Sequence, residues 1–548
     1  MKIALAQINP TIGDFAGNKK KIIDYARQAA ERGAELALFP ELAVCGYPPA
    51  DLLEKPSFVA RARETVEEIA TATASLGIAV ICGYVTPAHE GTGKHVMNSA
   101  ALLRDGRIEF VQSKMLLPFY DVFDEQRYFA AADRQQLFDL GGERVALTIC
   151  EDAWNDKSFW KNRLYRVDPV EELMHYGGTV ILNISASPYW VGKRKTRLSM
   201  LAAIARRHRQ PVLMVNQVGG NDSLVFDGSS LAVGPNGEVL AQARSFEEDL
   251  VMVDTSALTG DVRELPEAGD DATYRALVLG TRDYVRKCGF SKALIGLSGG
   301  IDSALVAAIA VDALGAENVT CVGMPSPYSS QGSIDDSRRL AATLGVQFEV
   351  LPISELFEDF NHTLAPVFAG LKPDITEENI QSRIRGTLLM AMSNKFNALV
   401  LTTGNKSEMS TGYCTLYGDM VGALAVIGDV VKTRVYSICR WLNRDRELIP
   451  VAILEKAPSA ELRPGQKDTD SLPPYEVMDP IIEAYVERYE TPEEIAGKQG
   501  VDLALVQKVV RLIERSEYKR QQAAPVLKVT AKAFGMGRRF PIAVKVEV

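Results

Sequence analysis

The hexapeptide Ser298-Gly299-Gly300-Ile301-Asp302-Ser303 stands between an apolar β-type run, Ala293 to Leu297, and a helix-forming run, Ala304 to Leu314. Consecutive glycines let the backbone approach a phosphate and present its N–H groups, and the positive end of the following helix attracts the same anion. The hydroxyls of Ser298 and Ser303 can donate to phosphate oxygens, and Asp302 offers a hard carboxylate to the magnesium ion that accompanies a nucleotide. The spacing G-x-x-x-x-G-K-[ST] is absent, so this is not the common phosphate loop. Asp302 and Ser303 at a helix start also suit plain N-terminal capping. The complete strand-turn-helix setting favours nucleotide binding.

Cys150 offers a second chemistry. It closes the apolar run Arg144 to Ile149 and precedes Glu151-Asp152-Ala153-Trp154. A tight turn at a strand end can lift a thiol towards a ligand, although a lone cysteine of this kind more often packs in a core. Glu41, in Phe39-Pro40-Glu41-Leu42, and Lys114, in Gln112-Ser113-Lys114, each follow another buried run. Singly, each reads as a solvated loop charge. The seven cysteines are scattered and form no Cys-x-x-Cys pair, which disfavours a disulfide framework and a zinc site. None of His89, His95, His175, His208 and His362 lies in a motif that pairs a catalytic histidine with a thiol.

Hydrophobic patterning gives the elements that must position these residues. Ile3 to Ile8, Leu36 to Phe39, Ile78 to Val85, Arg144 to Ile149, Val180 to Ile184 and Val212 to Val215 are short β-type runs, with a helix over Asn18 to Arg32 after the first. Such runs, separated by helices, indicate an α/β layered domain. Asp105-Gly106 and Asn236-Gly237 predict hairpins, which add antiparallel strands and make the sheet mixed. Beyond Leu250 to Val253 the chain turns polar and turn-rich, which places a first domain at 1–258, a linker at 259–273 and a second domain at 274–548. Strand-helix alternation resumes around Val319 to Met324, Gln347 to Leu351 and Ala398 to Thr402, the pattern of a doubly wound parallel sheet. Ala457 to Pro474, with four prolines, has the length and composition of a mobile loop over a site.

A chain of 548 residues suits two to four domains, and its 24% charged and 47% hydrophobic content is that of a globular protein. The net charge of -9 argues against a general nucleic-acid surface. No apolar run reaches bilayer-spanning length and no signal-type segment opens the chain, so the expectation is a cytoplasmic protein with no membrane partner.

Taken together, Phe39-Pro40-Glu41, Lys114-x-x-x-Leu117-Pro118, Asp124-Glu125-x-Arg127-Tyr128-Phe129 and Ile149-Cys150-Glu151-Asp152 resemble the nitrilase superfamily over residues 1 to 258. The resemblance implies an αββα sandwich and amide hydrolysis through a thioester. Glu41 would be the general base, Cys150 the nucleophile, and Lys114 the cation that lowers the thiol pKa and stabilises the oxyanion. Glu125 matches the family's supporting glutamate. By the same similarity Tyr120, Ser187 and Lys193 would contact glutamine; the family often has arginine where Lys193 stands.

The second half resembles the ATP pyrophosphatases, which activate a carboxylate oxygen as an adenylate. Glu378-Asn379-Ile380-Gln381-Ser382-Arg383-Ile384-Arg385, Leu401 to Glu408, Gly412 to Asp419, Val431-Lys432-Thr433 and Glu517-Tyr518-Lys519-Arg520 are similar to the NAD synthetases within that group. What this implies is ATP binding by Gly296, Leu297, Ser298, Gly299, Gly300, Ile301, Asp302, Ser303, Thr403, Lys432 and Ser459. Asp302 and Glu408 would hold Mg2+, and Asn379, Glu408 and Lys519 would meet deamido-NAD. Leu416 departs from the lysine that shorter, ammonia-using relatives carry there. The implied reaction amidates deamido-NAD with ammonia from glutamine at the cost of ATP, in a homo-oligomer. A pyrophosphatase-type amidotransferase with another acceptor, and a nucleotide-sensing module on inactive enzyme folds, are the competing readings.

Overall fold

The computed structural model describes residues 1–88, 91 and 93–545, so His89 lies outside the described residues. Two compact units divide the chain, Met1–Pro266 and Glu267–Val548.

In the first unit, β1 (Lys2–Gln7), β2 (Leu36–Leu38), β3 (Ala79–Pro87), β4 (Val96–Arg104) and β5 (Arg107–Ser113) form one side of a mixed sheet. A second mixed sheet contains β6 (Phe138–Leu140), β7 (Glu143–Ile149), β8 (Val180–Ser185), β9 (Val212–Asn216) and, beyond the hairpin of β10 (Val218–Asn221) and β11 (Leu224–Asp227), β12 (Leu231–Val233) and β13 (Val239–Gln242). β14 (Asp249–Asp254) returns to the first sheet, antiparallel to β1. Patterning alone had called for one mixed sheet; there are two.

Period-2 alternation explains why every run reads as apolar throughout. Ile3 and Leu5 of β1 share a buried cluster with Leu147, Leu182 and Leu213 of the other sheet. Ala4 and Ala6 point the opposite way, onto Ile22 and Ala26 of α1 (Phe15–Glu31) and Val66 and Ile69 of α2 (Pro56–Thr73). Ile181 and Met214 likewise meet Leu173 of α3 (Pro169–His175) and Leu201 and Ile204 of α4 (Lys193–His208). The layers are therefore αββα. Both expected hairpins form, with Arg104 opposite Arg107 and β12 paired to β13. At the ends of the stretch read as a linker the chain is regular: Thr259–Gly260 (β15) pairs with β14, and α5 (Asp270–Lys287) has begun by Asp270.

The second unit is built on β16 (Ala293–Gly296), β17 (Val319–Gly323), β18 (Gln347–Val350), β19 (Leu399–Thr402) and β20 (Leu424–Ala425), all parallel, in the order β18-β17-β16-β19-β20. α6 (Ile301–Leu314), α7 (Gln331–Leu344) and α8 (Ile375–Phe396) lie in the crossovers. Strand order reverses between β16 and β19, and doubly wound sheets bind ligands outside the carboxyl ends of the strands at such a switch point. The glycine turn follows β16 and Thr403 follows β19, so topology brings these two distant segments together. Among the described residues, no helix is long and apolar enough to cross a membrane.

Candidate functional site

In the first unit the chemistry collects at the carboxyl ends of β2, β5, β7 and β8. Cys150, the residue after β7, takes φ +44° in the left-handed region and is 4% exposed. Glu41, three residues past β2, is brought in by Gly83, where an added Cβ would lie 2.2 Å from the Leu42 nitrogen and 2.7 Å from the Glu41 carbonyl carbon. Lys114, next after β5, is fully buried; its Nζ donates to Glu41 Oε1 at 2.7 Å and to both Glu125 oxygens at 2.9 Å. Asn98 Nδ2 donates to Glu41 Oε1 at 2.7 Å, the Ala186 N–H to Glu41 Oε2 at 2.9 Å, and Tyr47 to Glu125 at 2.9 Å. Glu41 is thus fixed by three donors.

The electrostatics of this cluster decide how the thiol is activated. Burial, then the Glu41 carboxylate, hold Cys150 well above the ordinary thiol range, while Lys114 pulls it down. The lysine acts in the expected direction, yet the net shift is upward, so the resting thiol keeps its proton and a base is needed to take it. Burial opposes the Lys114 charge, but Glu125 and Glu41 more than offset it and keep the ammonium charged. Glu125 is pushed up to about 7, by burial first and by Glu41, against the pull of Lys114. Such a titration belongs to the whole cluster. Protonation of Glu125 below that pH removes a counter-charge of Lys114, so glutamine hydrolysis is expected to fall on the acid side with an apparent pKa near 7. A pH–rate profile of Glu125→Gln should lack that acid limb; an unchanged limb would assign it elsewhere.

The expected glutamine contacts surround this cluster. Tyr120 donates to Glu151 at 3.1 and 3.0 Å, and Lys193, which opens α4, lies 4.7 Å from the Trp154 ring; burial raises the pKa of Glu151, opposed by Lys114, by Tyr120 and more weakly by Lys193. Ser187 is buried one residue past Ala186, its N–H on Asn216 Oδ1 at 2.8 Å. The sequence motifs gave no role to Glu151, whose signal was its place beside Cys150, or to Asn98, a fully buried amide next to the buried Ser99 in a largely apolar strand. The Glu151 carboxylate and the Lys193 ammonium, close enough to interact electrostatically next to Cys150, match the two charges of a free amino acid.

In the second unit, Gly296, Leu297, Ser298, Gly300, Ile301, Asp302 and Ser303 line a cavity of about 740 Å³, together with Thr403, Lys432, Ser459, Asn379, Glu408 and Lys519. Of the residues expected there, Gly299 alone does not line it: at φ +76° it turns against Ser333, where a Cβ would sit 2.4 Å from the Ser333 carbonyl oxygen. Gly299→Ala is therefore expected to strain the turn by about 1–3 kcal/mol and weaken ATP binding, measured by titration calorimetry. Unchanged affinity would show that the turn can relax.

Asp302 does not cap its own helix. It accepts from Asn405 Nδ2 at 2.9 Å and pairs with Lys432. Ser303 and Ser298 hold the turn, their hydroxyls 3.1 Å apart. Glu408 belongs to α9 (Lys406–Thr411), whose N-cap Asn405 forms a reciprocal capping box with it, and lies 3.9 Å from Lys432. Burial, then the Asp302 charge, push Glu408 up to about 8. Asn379 accepts from Thr415 at 2.9 Å, Lys519 donates to the Gly412 and Cys414 carbonyls at 2.7 Å each, and Ser459 donates to Gln466 O at 2.6 Å within the loop that lines this cavity. Arg385, quoted in a motif but given no role, also lines the cavity; burial pushes it down to about 10. Asp302 and Glu408 fit magnesium: two hard, crowded carboxylates border a space for phosphates, and Mg2+ needs only one or two protein carboxylates when phosphate and water complete its shell.

Comparison with known proteins gives a family for each half of the chain. Residues 2–264 match the carbon-nitrogen hydrolase family and residues 273–523 the NAD synthase family. The chain is 50% identical over 549 residues to the glutamine-dependent NAD(+) synthetase of Synechocystis sp. and 45% identical over 582 residues to that of Thermotoga maritima, each alignment covering 99% of this chain and 98% of the relative. Its fold matches the glutamine-dependent NAD+ synthetase of Acinetobacter baumannii in complex with ADP, with TM-score 0.77, 41% identity, and 99% and 98% of the two chains covered. With both domain families in order and full-length relatives at this identity, the chain belongs to the glutamine-dependent NAD(+) synthetase family.

Proposed function

We propose that the chain hydrolyses glutamine at Cys150 and uses the ammonia to amidate deamido-NAD, with ATP converted to AMP and pyrophosphate. The observation that carries this is the pairing, in one chain, of a buried Lys114 bridging Glu41 and Glu125 beside Cys150 with a glycine turn at the switch point of a parallel sheet. Residues 1–258 supply the nitrogen and residues 274–548 the activation, with 259–273 joining them.

At the first site Glu41 takes the Cys150 proton as the sulfur attacks the glutamine amide, and returns it to the departing ammonia. Lys114 faces the oxyanion, Glu151 and Tyr120 receive the substrate ammonium, and Lys193 and Ser187 receive its carboxylate. Water activated by Glu41 then releases glutamate from the thioester. At the second site the glycine turn, Thr403, Lys432 and Ser459 hold ATP, while Asn379, Glu408 and Lys519 orient deamido-NAD. Magnesium held by Asp302 and Glu408 would neutralise phosphate charge there. The nicotinate carboxylate resists attack because it is anionic; as an adenylate it loses AMP when neutral ammonia attacks the carbonyl carbon. Free ammonia is mostly protonated in neutral water, which favours supplying it from the same chain.

Incubation with ATP, magnesium, deamido-NAD and glutamine should yield NAD, AMP, pyrophosphate and glutamate by chromatography. Failure to form NAD would falsify this reading, and amidation of a different acceptor would support the rival amidotransferase. We also assign the enzyme to the cytoplasm as a homo-oligomer. The exposed Leu356, Phe360, Leu371 and Ile375 support self-association, and a monomer in sedimentation velocity would contradict it.

A further inference from the structure

The NAD synthase match stops at residue 523, yet the segment that follows is built into the wall that carries Glu408. Pro525 and Leu527 bond across Ala425 of β20, its N–H reaching the Pro525 carbonyl at 2.8 Å. The Val529 and Thr530 N–H groups both donate to Asp429 Oδ2 at 2.7 Å. Lys406, the first residue of α9, is fully buried. Its Nζ meets Asp429 Oδ1 at 2.9 Å, Glu487 Oε1 at 2.7 Å, Thr530 Oγ1 at 2.8 Å and the Lys532 carbonyl at 2.9 Å.

A buried ammonium is tolerated only when its donors are satisfied, so removing one acceptor is felt by all. α9 has six residues, too few to hold a pose by its own hydrogen bonds, and so depends on its anchors. Asn405 ties it to Asp302, Ser407 to Asp479 at 2.6 Å, and Lys406 to the tail. At its other end Arg520 donates to the Met409 and Ser410 carbonyls at 3.1 and 2.9 Å, and pairs with Glu517, which Arg538 of the tail also grips at 2.9 Å.

We propose that Lys406 and the segment Pro525 to Lys532 form a positioning device for the synthetase site, in which the tail fixes α9 and so sets where Glu408 points into the cavity. Lys406 is a positioning residue; it acts through Glu408. The inference rests on the reading of Glu408 as a contact for magnesium and deamido-NAD.

The test uses the full chain with ammonia as nitrogen source. Lys406→Met is expected to lower kcat by about 10–100-fold, as losses in the shell behind a metal ligand do, and Thr530→Val by less. The ATP dissociation constant from calorimetry should change by less than kcat does, because Ser298 and Ser303 hold the glycine turn from within and α9 meets it through the Asn405–Asp302 bond. Both should leave little further loss when combined with Glu408→Gln, since a device that acts through Glu408 has nothing to position once the carboxylate is gone. Parental kcat in Thr530→Val and in folded Lys406→Met, or losses that multiply with Glu408→Gln, would overturn the proposal. Should Lys406→Met fail to fold, Thr530→Val and its double variant decide. A silent Glu408→Gln would instead remove the reading of Glu408, and this inference with it.

Discussion

Cys150→Ala is expected to abolish NAD formation from glutamine, by on the order of 10⁴-fold or more, while ammonia-driven synthesis stays near the parental rate. The asymmetry follows from the division of the chain. In the proposed mechanism the thiol forms the thioester, and without it Glu41 and Lys114, bonded to each other beside Cys150, would have no nucleophile to deprotonate or to stabilise. The ATP turn belongs to the other compact unit, at the end of β16. The substitution removes a single sulfur, and alanine can take the Cys150 backbone conformation with no more strain than cysteine. Rates with each nitrogen source, measured at matched ATP and deamido-NAD, provide the check. Glutamine-driven synthesis that survives would mean that the nucleophile lies elsewhere.

What the chain disclosed in advance depended on how local the cause was. The strands beneath Cys150 and the glycine turn were legible because their centres, buried on both faces, are unbroken apolar runs: Val145 to Leu147 in β7, Val180 to Leu182 in β8 and Ala293 to Ile295 in β16. Asp105-Gly106 and Asn236-Gly237 declared hairpins by turn chemistry alone. The division of one mixed sheet into two was not legible: Leu5 and Ala6 look alike in sequence, although they face different layers. Nor does the segment 259–273 announce that its first two residues pair with β14, because two residues carry no period.

The site divides in the same way. Motif order supplied Glu41, Lys114, Cys150 and the glycine turn, and the fold explains why the first three meet within one unit and the turn meets Thr403 within the other: each follows the carboxyl end of a strand. Glu151, Asn98 and Lys406 escaped because their meaning is set by partners remote in the chain. Asn98 meets Glu41 across 57 positions, and Lys406 meets Glu487 and Thr530 across 81 and 124. A lysine in Asn405-Lys406-Ser407 reads as a surface charge, and only the tertiary contacts show that it is enclosed by acceptors. Asp302 is the intermediate case. Its place in the turn allowed either a cap or a ligand, and the bonds to Asn405 and Lys432 favour the second, since both partners come from beyond the switch point.

Asp302→Ala, by contrast with Cys150→Ala, is expected to depress NAD formation from glutamine and from ammonia alike, by about 10²–10³-fold. Both nitrogen sources converge on one adenylated acceptor, so a defect in making the adenylate cannot be bypassed by supplying more ammonia. Removing the carboxylate has two effects at once. It takes away one of the two crowded carboxylates suited to magnesium, and it leaves the Lys432 ammonium, 3% exposed, with Glu408 at 3.9 Å as its remaining ion-pair partner there. Asp302→Asn separates the two, because an amide keeps the shape and the capacity to accept from Asn405 but not the charge. If charge is what matters, Asn should be nearly as impaired as Ala while its thermal midpoint stays closer to the parent. Glutamate release at Cys150 should persist in both variants, showing that the chain remains folded around the first site. Recovery of synthesis at high ammonia in either variant would contradict the assignment, because it would place Asp302 in nitrogen supply and not in activation of the acceptor.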